Sequence, residues 1–209
     1  KRGAALVSRN IAGLIEAHVA GRSRDWQPLV YCWRGGQRSG SLSLVLAQIG
    51  FRTRQLQGGY KSFRAQVRED LATAPAQFGW RVLCGRTGSG KTRLLGALAE
   101  AGAQVLDLEG LAVHRGSVLG GLPGQPQPSQ KHFETQLWAA LRRLDPARPV
   151  FVESESRRIG RLQVPDALLA AIRESASPVH VAVPMAGRVE LLMQDYDYFV
   201  QDVPALVDR

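Results

Sequence analysis

The chain has 209 residues, of which 44% are hydrophobic and 22% are charged, enough apolar material for one large α/β domain or two small ones. No apolar run approaches the roughly 18 residues of a membrane-spanning helix, so no membrane association is expected. The net charge of +9 favours a polyanionic partner, most commonly a nucleic acid. Two cysteines, Cys32 and Cys84, do not suggest a disulfide framework and predict a cytoplasmic location.

The first third of the chain alternates between helical and extended patterns. Residues 4–20 predict a helix, because its apolar residues Leu6, Ile11, Leu14, Ile15 and Val19 fall on one face. The apolar run 29–32 ends at Cys32 and predicts a short buried strand. The remaining elements are a helix capped by Ser39 and ended by Gly50, a strand over 53–56, a turn at Gly58 and Gly59, and a helix over 60–71. This alternation implies a parallel sheet.

The segment 72–76, rich in Ala and Pro, predicts a linker, which divides the chain into domains 1–74 and 75–209. A fresh alternation of strands and helices follows it, and it implies a second parallel sheet. The predicted strands are 81–84, 104–108, 150–153 and 179–183, and the predicted helices are 92–100, 131–144, 166–174 and 188–196. Residues 116–129 hold many Gly and Pro residues and predict a mobile loop. The fold class is therefore α/β in both parts.

A cysteine at the end of the first predicted strand has the surroundings of a nucleophile. Backbone amides of the following Gly-rich turn and the dipole of the next helix would stabilise a thiolate at Cys32. Arg34 and Arg38 add positive charge, while Gly35 and Gly36 let the backbone fold around an anion. Such a loop can hold a tetrahedral oxyanion or a single chalcogen atom. We predict Cys32, Arg34 and Arg38 as catalytic residues, and no chemical role for Cys84.

The second domain begins with a phosphate-binding motif, G-x-x-x-x-G-K-[ST], between a predicted strand and a predicted helix. Its glycines let backbone amides converge on phosphate oxygens, and its lysine adds a point charge. The residues predicted to bind phosphate are Gly85, Gly88, Ser89, Gly90, Lys91 and Thr92. Thr92 would normally hold Mg²⁺. No motif for adenine or guanine is evident, so the loop can serve a diphosphate that is not part of a nucleotide.

Acidic residues at the ends of other strands are expected to assist Mg²⁺ or water. Glu153 and Glu155 follow one predicted strand, and Asp107 and Glu109 follow another. We take Asp107 and Glu153 as the candidates, although either pair can also be surface carboxylates. The four histidines show no spacing typical of zinc, and we expect no metal site built from protein ligands alone.

These residues resemble the tRNA 2-selenouridine synthase family, in which a rhodanese-like domain is joined to a P-loop domain. The resemblance covers nearly the whole chain in the family's order. It rests on the segments 31–39, 56–61, 85–92, 106–112, 114–117, 127–130, 133–134, 152–160 and 188–190. Counterparts of the family's first strand and acidic loop, and of its C-terminal helical region, are missing. We therefore expect a rhodanese-like domain that is incomplete at its N-terminus and a P-loop domain without its final helices.

The resemblance implies a transferase that acts on the wobble 2-thiouridine of tRNA. Its sulfur would first be alkylated with geranyl diphosphate, and selenium from selenophosphate would then replace the geranylated sulfur. Cys32 would take the selenium as a perselenide or assist its delivery, and the phosphate loop would hold the diphosphate. The implied co-substrates are selenophosphate and geranyl diphosphate. The implied partners are tRNA and an enzyme that supplies selenophosphate.

Two other functions fit the same residues. The first is a cysteine-dependent sulfurtransferase or phosphatase fused to an ATPase-like or kinase-like P-loop domain. It would turn over thiosulfate or a phosphomonoester without tRNA and would bind ATP tightly. The second is a non-catalytic tRNA-binding or regulatory module, which requires an unreactive Cys32. The pKa of the Cys32 thiol separates the inert alternative from the others, because an ordinary thiol titrates near pH ~8.5.

Overall fold

A computed structural model of the chain describes residues 1–117, 120–122, 124–175 and 177–195. It divides into two compact units, Lys1–Gln66 and Val67–Arg209. The division lies within helix α3 (Gly59–Thr73) rather than at the predicted boundary after residue 74. The segment predicted as a linker continues this helix and ends in a 3-10 helix, Ala74–Gln77. Pro75 is buried there, and its carbonyl accepts a hydrogen bond of 3.0 Å from Trp80 Nε1, so this segment belongs to the core of the second unit.

The first unit is a small α/β arrangement with a parallel pair of strands. Its elements are α1 (Arg2–His18), β1 (Leu29–Val30), α2 (Gln37–Gln48), β2 (Arg54–Gln55) and the beginning of α3. Leu29 pairs with Arg54 and Val30 with Gln55. The predicted order of elements and the parallel pairing are confirmed, although each strand is only two residues long. A small core of Val19, Val30 and Leu46 supports the strand that leads to Cys32.

The second unit is built on a four-stranded parallel sheet with strand order β4-β5-β3-β8. The sheet strands are β3 (Trp80–Cys84), β4 (Gln104–Leu106), β5 (Val150–Glu153) and β8 (Ser177–His180). The helices are α4 (Lys91–Glu100), α5 (Leu108–Ala112), α6 (Gln130–Leu141), α7 (Asp166–Ser175) and α8 (Met185–Asp195). A hairpin of β6 (Arg158–Ile159) and β7 (Leu162–Gln163) precedes α7. None of the described helices is long and apolar enough to cross a membrane.

The functional end of this sheet is set by its two central strands. Trp80 and Leu83 on β3, and Val150 and Val152 on β5, are buried, which is the near-continuous apolar pattern of strands covered on both faces. The strands are parallel, so their carboxyl ends open at the same edge, where ligands bind in open α/β sheets. The phosphate loop follows β3 and Glu153 ends β5, and both therefore lie at this edge.

Several predicted boundaries differ from the structure. Strand β4 ends at Leu106 because Asp107 caps α5, and this short helix was not predicted. The fourth strand covers 177–180 instead of 179–183, and the last helix starts at Met185 instead of residue 188. In the segment predicted as a mobile loop, isolated bridges pair His114 with Gly121 and Leu122 with Gln125. Residues 118, 119, 123 and 196, which also carried predictions, lie outside the described residues.

Candidate functional sites: a phosphate loop with a carboxylate cluster, and a cysteine loop

The phosphate loop connects β3 to α4, as its motif predicts. Gly88 and Gly90 have φ of 79° and 73°, a left-handed conformation that glycine adopts without strain. Gly90 is the N-cap of α4, and the helix begins at Lys91, so amides of the first turn are available to an anion. Lys91 Nζ donates a 3.1 Å hydrogen bond to Gly85 O, which holds the ammonium group over the loop. The geometry is that of an anion cradle.

Helix α8 packs directly on the loop. The guanidinium of Arg188 donates from Nε and Nη2 to Thr87 O at 3.0 and 2.9 Å. A methyl group at Gly88 would lie 2.7 Å from Leu192 Cγ and 2.9 Å from Arg188 O, so only glycine fits under the helix. The C-terminal part of α8 is attached to α4 by Arg93, which pairs with Asp195 at 2.8 Å. Helix α8 therefore positions the loop, a role that the sequence did not reveal.

Three glutamates meet beside the loop. Glu109 lies in the first turn of α5, Glu153 ends β5, and Glu155 follows two residues later. One carboxylate oxygen from each lies within 4.8 Å of the others. Thr92 Oγ1 donates a 3.4 Å hydrogen bond to Glu109 Oε2, which connects the cluster to the phosphate loop. We call Glu109, Glu153 and Glu155 the carboxylate cluster.

Burial controls the electrostatics of the carboxylate cluster. Desolvation is the main cause that raises the pKa of Glu109 to about 8, and repulsion from Glu153 and Glu155 adds to it. Desolvation also raises the pKa of Glu153 and of Glu155. Glu153 is only 4% exposed, and its Oε1 is buried with no hydrogen-bond partner among the described residues. A buried carboxylate oxygen without a partner is costly unless something else binds it.

The loop and the carboxylate cluster line one cavity of about 500 Å³. The predicted residues that line it are Gly85, Gly88, Gly90, Lys91, Thr92 and Glu153. Ser89 is buried behind the loop, with no hydrogen-bond partner for its Oγ among the described residues. Asp107 has a different structural role from the one expected. Its carboxylate accepts a 2.8 Å hydrogen bond from Gly110 N as the N-cap of α5, and Glu109 is the acidic residue that reaches Thr92.

A glycine that the sequence did not single out closes over the carboxylate cluster. Gly116 has φ of 63°, and a methyl group on it would collide with Glu109 Oε1 and lie 3.2 Å from Glu155 Oε2. It lines the cavity together with Arg115, whose guanidinium donates to Asp195 O. The sequence placed Gly116 at the start of a mobile loop. No local pattern indicates that two carboxylates approach its backbone.

The cysteine loop of the first unit leaves Cys32 half-buried at the end of β1. Ser39 Oγ donates to Cys32 Sγ at 3.4 Å, and the thiol can donate to Arg34 O at 3.4 Å. The hydrogen bond from the Ser39 hydroxyl is the largest cause that lowers the pKa of Cys32 from 9.0 to about 7, followed by the Ser39 backbone. The sulfur is thus accessible and partly ionised at neutral pH, as a nucleophile requires.

The backbone around Cys32 is shaped by glycine. Gly36, with φ of 75°, is the N-cap of α2, which starts at Gln37 and so places Ser39 in its first turn instead of at its cap. From the other side, Gly59 approaches so closely that a methyl group there would collide with Cys32 O. Tyr60 N donates to that same carbonyl at 2.9 Å. The turn at Gly58 and Gly59 therefore holds the cysteine loop in place.

The predicted cationic residues of this loop are both exposed. Arg34 and Arg38 lie at the surface, and Gly35 has φ of 76°. Trp33 is also exposed and stacks on Tyr60 at a centroid distance of 5.1 Å. Cys84 lies at the end of β3 and is only half-buried.

A phosphate loop after a central strand of a parallel sheet, with an acidic residue ending the neighbouring strand, defines the second unit as a P-loop α/β domain. The family model described as tRNA 2-selenouridine synthase AAA domain matches residues 78–205. The chain belongs to this family. Its phosphate loop, its carboxylate cluster and α8 all lie within the matched segment.

Curated relatives support the same family. A tRNA 2-selenouridine synthase of Aeromonas salmonicida is 45% identical over 170 residues, which cover 80% of this chain and 44% of the relative. One of Sulfurovum is 38% identical over 199 residues, covering 94% of this chain and 53% of the relative. The chain thus spans about half the length of the curated relatives it matches. No solved structure matches the chain.

Proposed function

We propose that this chain carries the two anion sites of a transferase that replaces sulfur by selenium in the wobble 2-thiouridine of tRNA. The observation that carries the proposal is the presence, in one member of this family, of an accessible Cys32 with a lowered pKa and of a separate phosphate loop. The two sites suit two different anionic co-substrates, a diphosphate and a tetrahedral selenophosphate.

The phosphate loop would serve the first reaction, S-geranylation. The sulfur of 2-thiouridine attacks the first carbon of geranyl diphosphate, the carbon–oxygen bond breaks, and diphosphate leaves. Converging amides and Lys91 stabilise the negative charge that develops on this leaving group. The oxygen donors of Thr92 and the neighbouring glutamates suit Mg²⁺, which would neutralise further charge on the diphosphate.

The cysteine loop would serve the second reaction, selenation. Selenium from selenophosphate adds to the base carbon that carries the alkylated sulfur, and the bond to that sulfur breaks to release geranylthiol. Water then cleaves the selenium–phosphorus bond and releases phosphate. Cys32 would assist the delivery of selenium to the base without taking it up covalently, and the exposed Arg34 and Arg38 would attract the tetrahedral anion. We propose that the first unit is rhodanese-like, a fold supported by the cysteine loop that follows its parallel strand pair.

The charge of the chain suits the proposed RNA substrate. Lys and Arg number 27 against 18 Asp and Glu, and most of the cations are arginines, which contact phosphate bidentately. Affinity for tRNA should therefore fall steeply with salt. An enzyme that supplies selenophosphate is a further proposed partner, and a cytoplasmic location follows from both substrates.

Nucleoside analysis by mass spectrometry tests the proposal. The purified protein is incubated with tRNA that contains 2-thiouridine, first with geranyl diphosphate alone and then with selenophosphate added. The expected products are geranylthiouridine in the first reaction and 2-selenouridine in the second. Unmodified 2-thiouridine in both, together with turnover of thiosulfate or a phosphomonoester in the absence of tRNA, would instead support a sulfurtransferase or phosphatase.

A further inference from the structure

The net charge of the chain is concentrated in its first unit. Lys1–Gln66 holds 11 of the 27 Lys and Arg residues but only two of the 18 Asp and Glu residues, so its own charge is +9. In residues 67–209 the remaining 16 cations are balanced by 16 anions. Nine of the 11 cations are arginines, whose guanidinium groups bind phosphate bidentately and stack on aromatic rings. The attraction of the chain for a polyanion therefore belongs to the first unit.

The cations of the first unit are displayed at its surface. They are spread over α1, the turn after it, the cysteine loop, the surroundings of β2 and the start of α3. The exposed ones are Lys1, Arg2, Arg9, Arg22, Arg24, Arg34, Arg38, Arg52, Arg54 and Lys61. Lys61 N donates to Trp33 O at 3.2 Å, which joins the start of α3 to the cysteine loop. Cations on several elements can contact several phosphates of one RNA.

Aromatic side chains flank the nucleophile. Tyr31 and Trp33 precede and follow Cys32 in the chain, and they are 57% and 53% exposed. Trp33 stacks on Tyr60 with the ring centroids 5.1 Å apart and an interplanar angle of 28°. Tyr60 is itself held in place, since its backbone amide donates to Cys32 O at 2.9 Å. Exposed aromatic rings among cations are the features with which proteins bind unpaired bases.

We propose that the first unit is the RNA-binding part of the chain, and that Tyr31 and Trp33 stack on unpaired bases of an RNA loop beside Cys32. Lys61 and the arginines around β2 would contact phosphates of the same loop, which fixes its position. A duplex hides the faces of its bases, so this mode of binding selects a loop over a stem. The inference rests on the proposed function only in taking the loop to be the one that contains the wobble base. An anionic membrane fits less well, because the rings flank a nucleophile that has no reactant in a lipid surface.

Fluorescence anisotropy of a labelled RNA hairpin with an unmodified, uridine-containing loop tests the stacking, with the full chain and without co-substrates. Trp33→Ala should bind the hairpin about 5-fold to 150-fold more weakly, the range for one base stacked on an aromatic ring, and Trp33→Phe should keep most of the affinity. A hairpin with abasic sites in its loop should bind wild type and Trp33→Ala equally, a pattern that a folding defect does not produce. Equal affinity of wild type and Trp33→Ala for the intact hairpin would overturn the stacking.

Two matched pairs of charge substitutions test the assignment to the first unit. Arg54→Gln combined with Lys61→Gln should weaken both hairpins alike. The slope of log affinity against log salt should become shallower by about 1.4–1.8, since each phosphate contact contributes about 0.7–0.9. Arg143→Gln combined with Arg173→Gln removes two exposed charges of the second unit and should change neither quantity. An effect of this control pair as large as that of the first pair would contradict the assignment.

The same measurements separate this inference from the proposed function and from a membrane site. The hairpin contains no 2-thiouridine, and neither geranyl diphosphate nor selenophosphate is present, so failure of the proposed selenium transfer leaves the expected affinities unchanged. Loss of the stacking effect together with normal formation of 2-selenouridine would refute this inference alone. Binding to vesicles of anionic phospholipid in the absence of any affinity for the hairpin would make the surface a membrane site and would overturn the proposal.

Discussion

The cysteine loop and the phosphate loop of this chain share a backbone geometry and differ in their electrostatics. In each, a glycine in the left-handed conformation is the N-cap of the following helix, with φ of 75° at Gly36 and 73° at Gly90. Neither helix has a side-chain cap hydrogen bond. At the cysteine loop hydrogen bonds lower the pKa of Cys32 to about 7, whereas beside the phosphate loop burial raises the pKa of Glu109 to about 8.

The comparison shows that the loop backbone does not by itself decide the protonation state of its neighbours. A thiolate is stabilised when donors point at it, as Ser39 Oγ points at Cys32 Sγ. A buried carboxylate resists ionisation unless a cation compensates it, as at Glu109. The first loop is thus suited to a reactive anion of the protein itself, and the second to anions and cations brought by ligands. Substitutions that act on one loop should leave the other intact.

The largest expected effect is at the nucleophile. Cys32→Ser should abolish formation of 2-selenouridine. The serine hydroxyl is not ionised near neutral pH, whereas a cysteine thiol with a lowered pKa is partly ionised. Geranylation, assigned to the other loop, should continue at the wild-type rate. Mass spectrometry of the wobble nucleoside measures both. Cys84→Ser is the matched control and should leave both reactions unchanged. Normal selenouridine in Cys32→Ser would remove this residue from the mechanism.

A substitution in the phosphate loop should instead impair the geranylation step. Lys91→Ala removes the charged partner that we propose for the diphosphate, a contact worth about 1.5–3 kcal/mol, so affinity for diphosphate should fall by roughly 10-fold to 150-fold. Isothermal titration calorimetry with inorganic diphosphate measures this, and the geranylation rate should fall with it. Arg143→Ala removes an exposed charge just beyond α6 and serves as the control. An unaltered affinity in Lys91→Ala would contradict the assignment of the loop.

Two glycines allow the effect of backbone strain to be distinguished from the effect of crowding the carboxylate cluster. Gly116 and Gly124 have φ of 63° and 66°, so alanine at either costs similar backbone strain, about 1 kcal/mol. A methyl group at Gly124 meets nothing within 4 Å, whereas at Gly116 it would displace Glu109 Oε1. Gly116→Ala should therefore weaken binding of Mn²⁺, titrated as a substitute for the proposed Mg²⁺, about tenfold, and Gly124→Ala should leave it unchanged. Equal Mn²⁺ affinities in the two variants would show that the close contact of Gly116 with Glu109 does not affect Mn²⁺ binding.

How far the sequence predicted these sites depended on how local their determinants are. The phosphate loop and the cysteine loop were both located, because glycine spacing after a strand is a short-range pattern. Asp107, the residue chosen from its pair, caps α5, and Glu109 is the one that accepts a hydrogen bond from Thr92; the sequence does not distinguish these two roles at positions two residues apart. Whether either carboxylate binds a ligand stays a prediction.

Features that depend on packing could not be predicted. Pro75 was taken for part of a linker, but it is buried and accepts a hydrogen bond from Trp80. The contact of Arg188 with Thr87 O joins residues 101 positions apart, and no periodicity reveals it. We expected no metal site built from protein ligands alone, because the histidines and cysteines lack the spacing of such sites. The sequence named these glutamates as candidates, but that Glu109 of α5 meets Glu153 and Glu155 at the end of β5 became visible only once the sheet was assembled.

The smallest expected effect concerns the thiol itself. Ser39→Ala removes the hydrogen bond that contributes most to the lowered pKa of Cys32. Without that bond the pKa should rise from about 7 toward 9.0, and the thiolate fraction at pH 7 should fall roughly severalfold. The rate of alkylation by iodoacetamide between pH 5 and 10, in a Cys84→Ser background, measures the pKa. Ser41→Ala, whose Oγ bonds Gln37 O on the same helix, should titrate as the wild type does. If the Cys32 thiol still titrated near pH 7 in Ser39→Ala, backbone amides alone would stabilise the thiolate. The cysteine loop would then depend on its backbone as fully as the phosphate loop does.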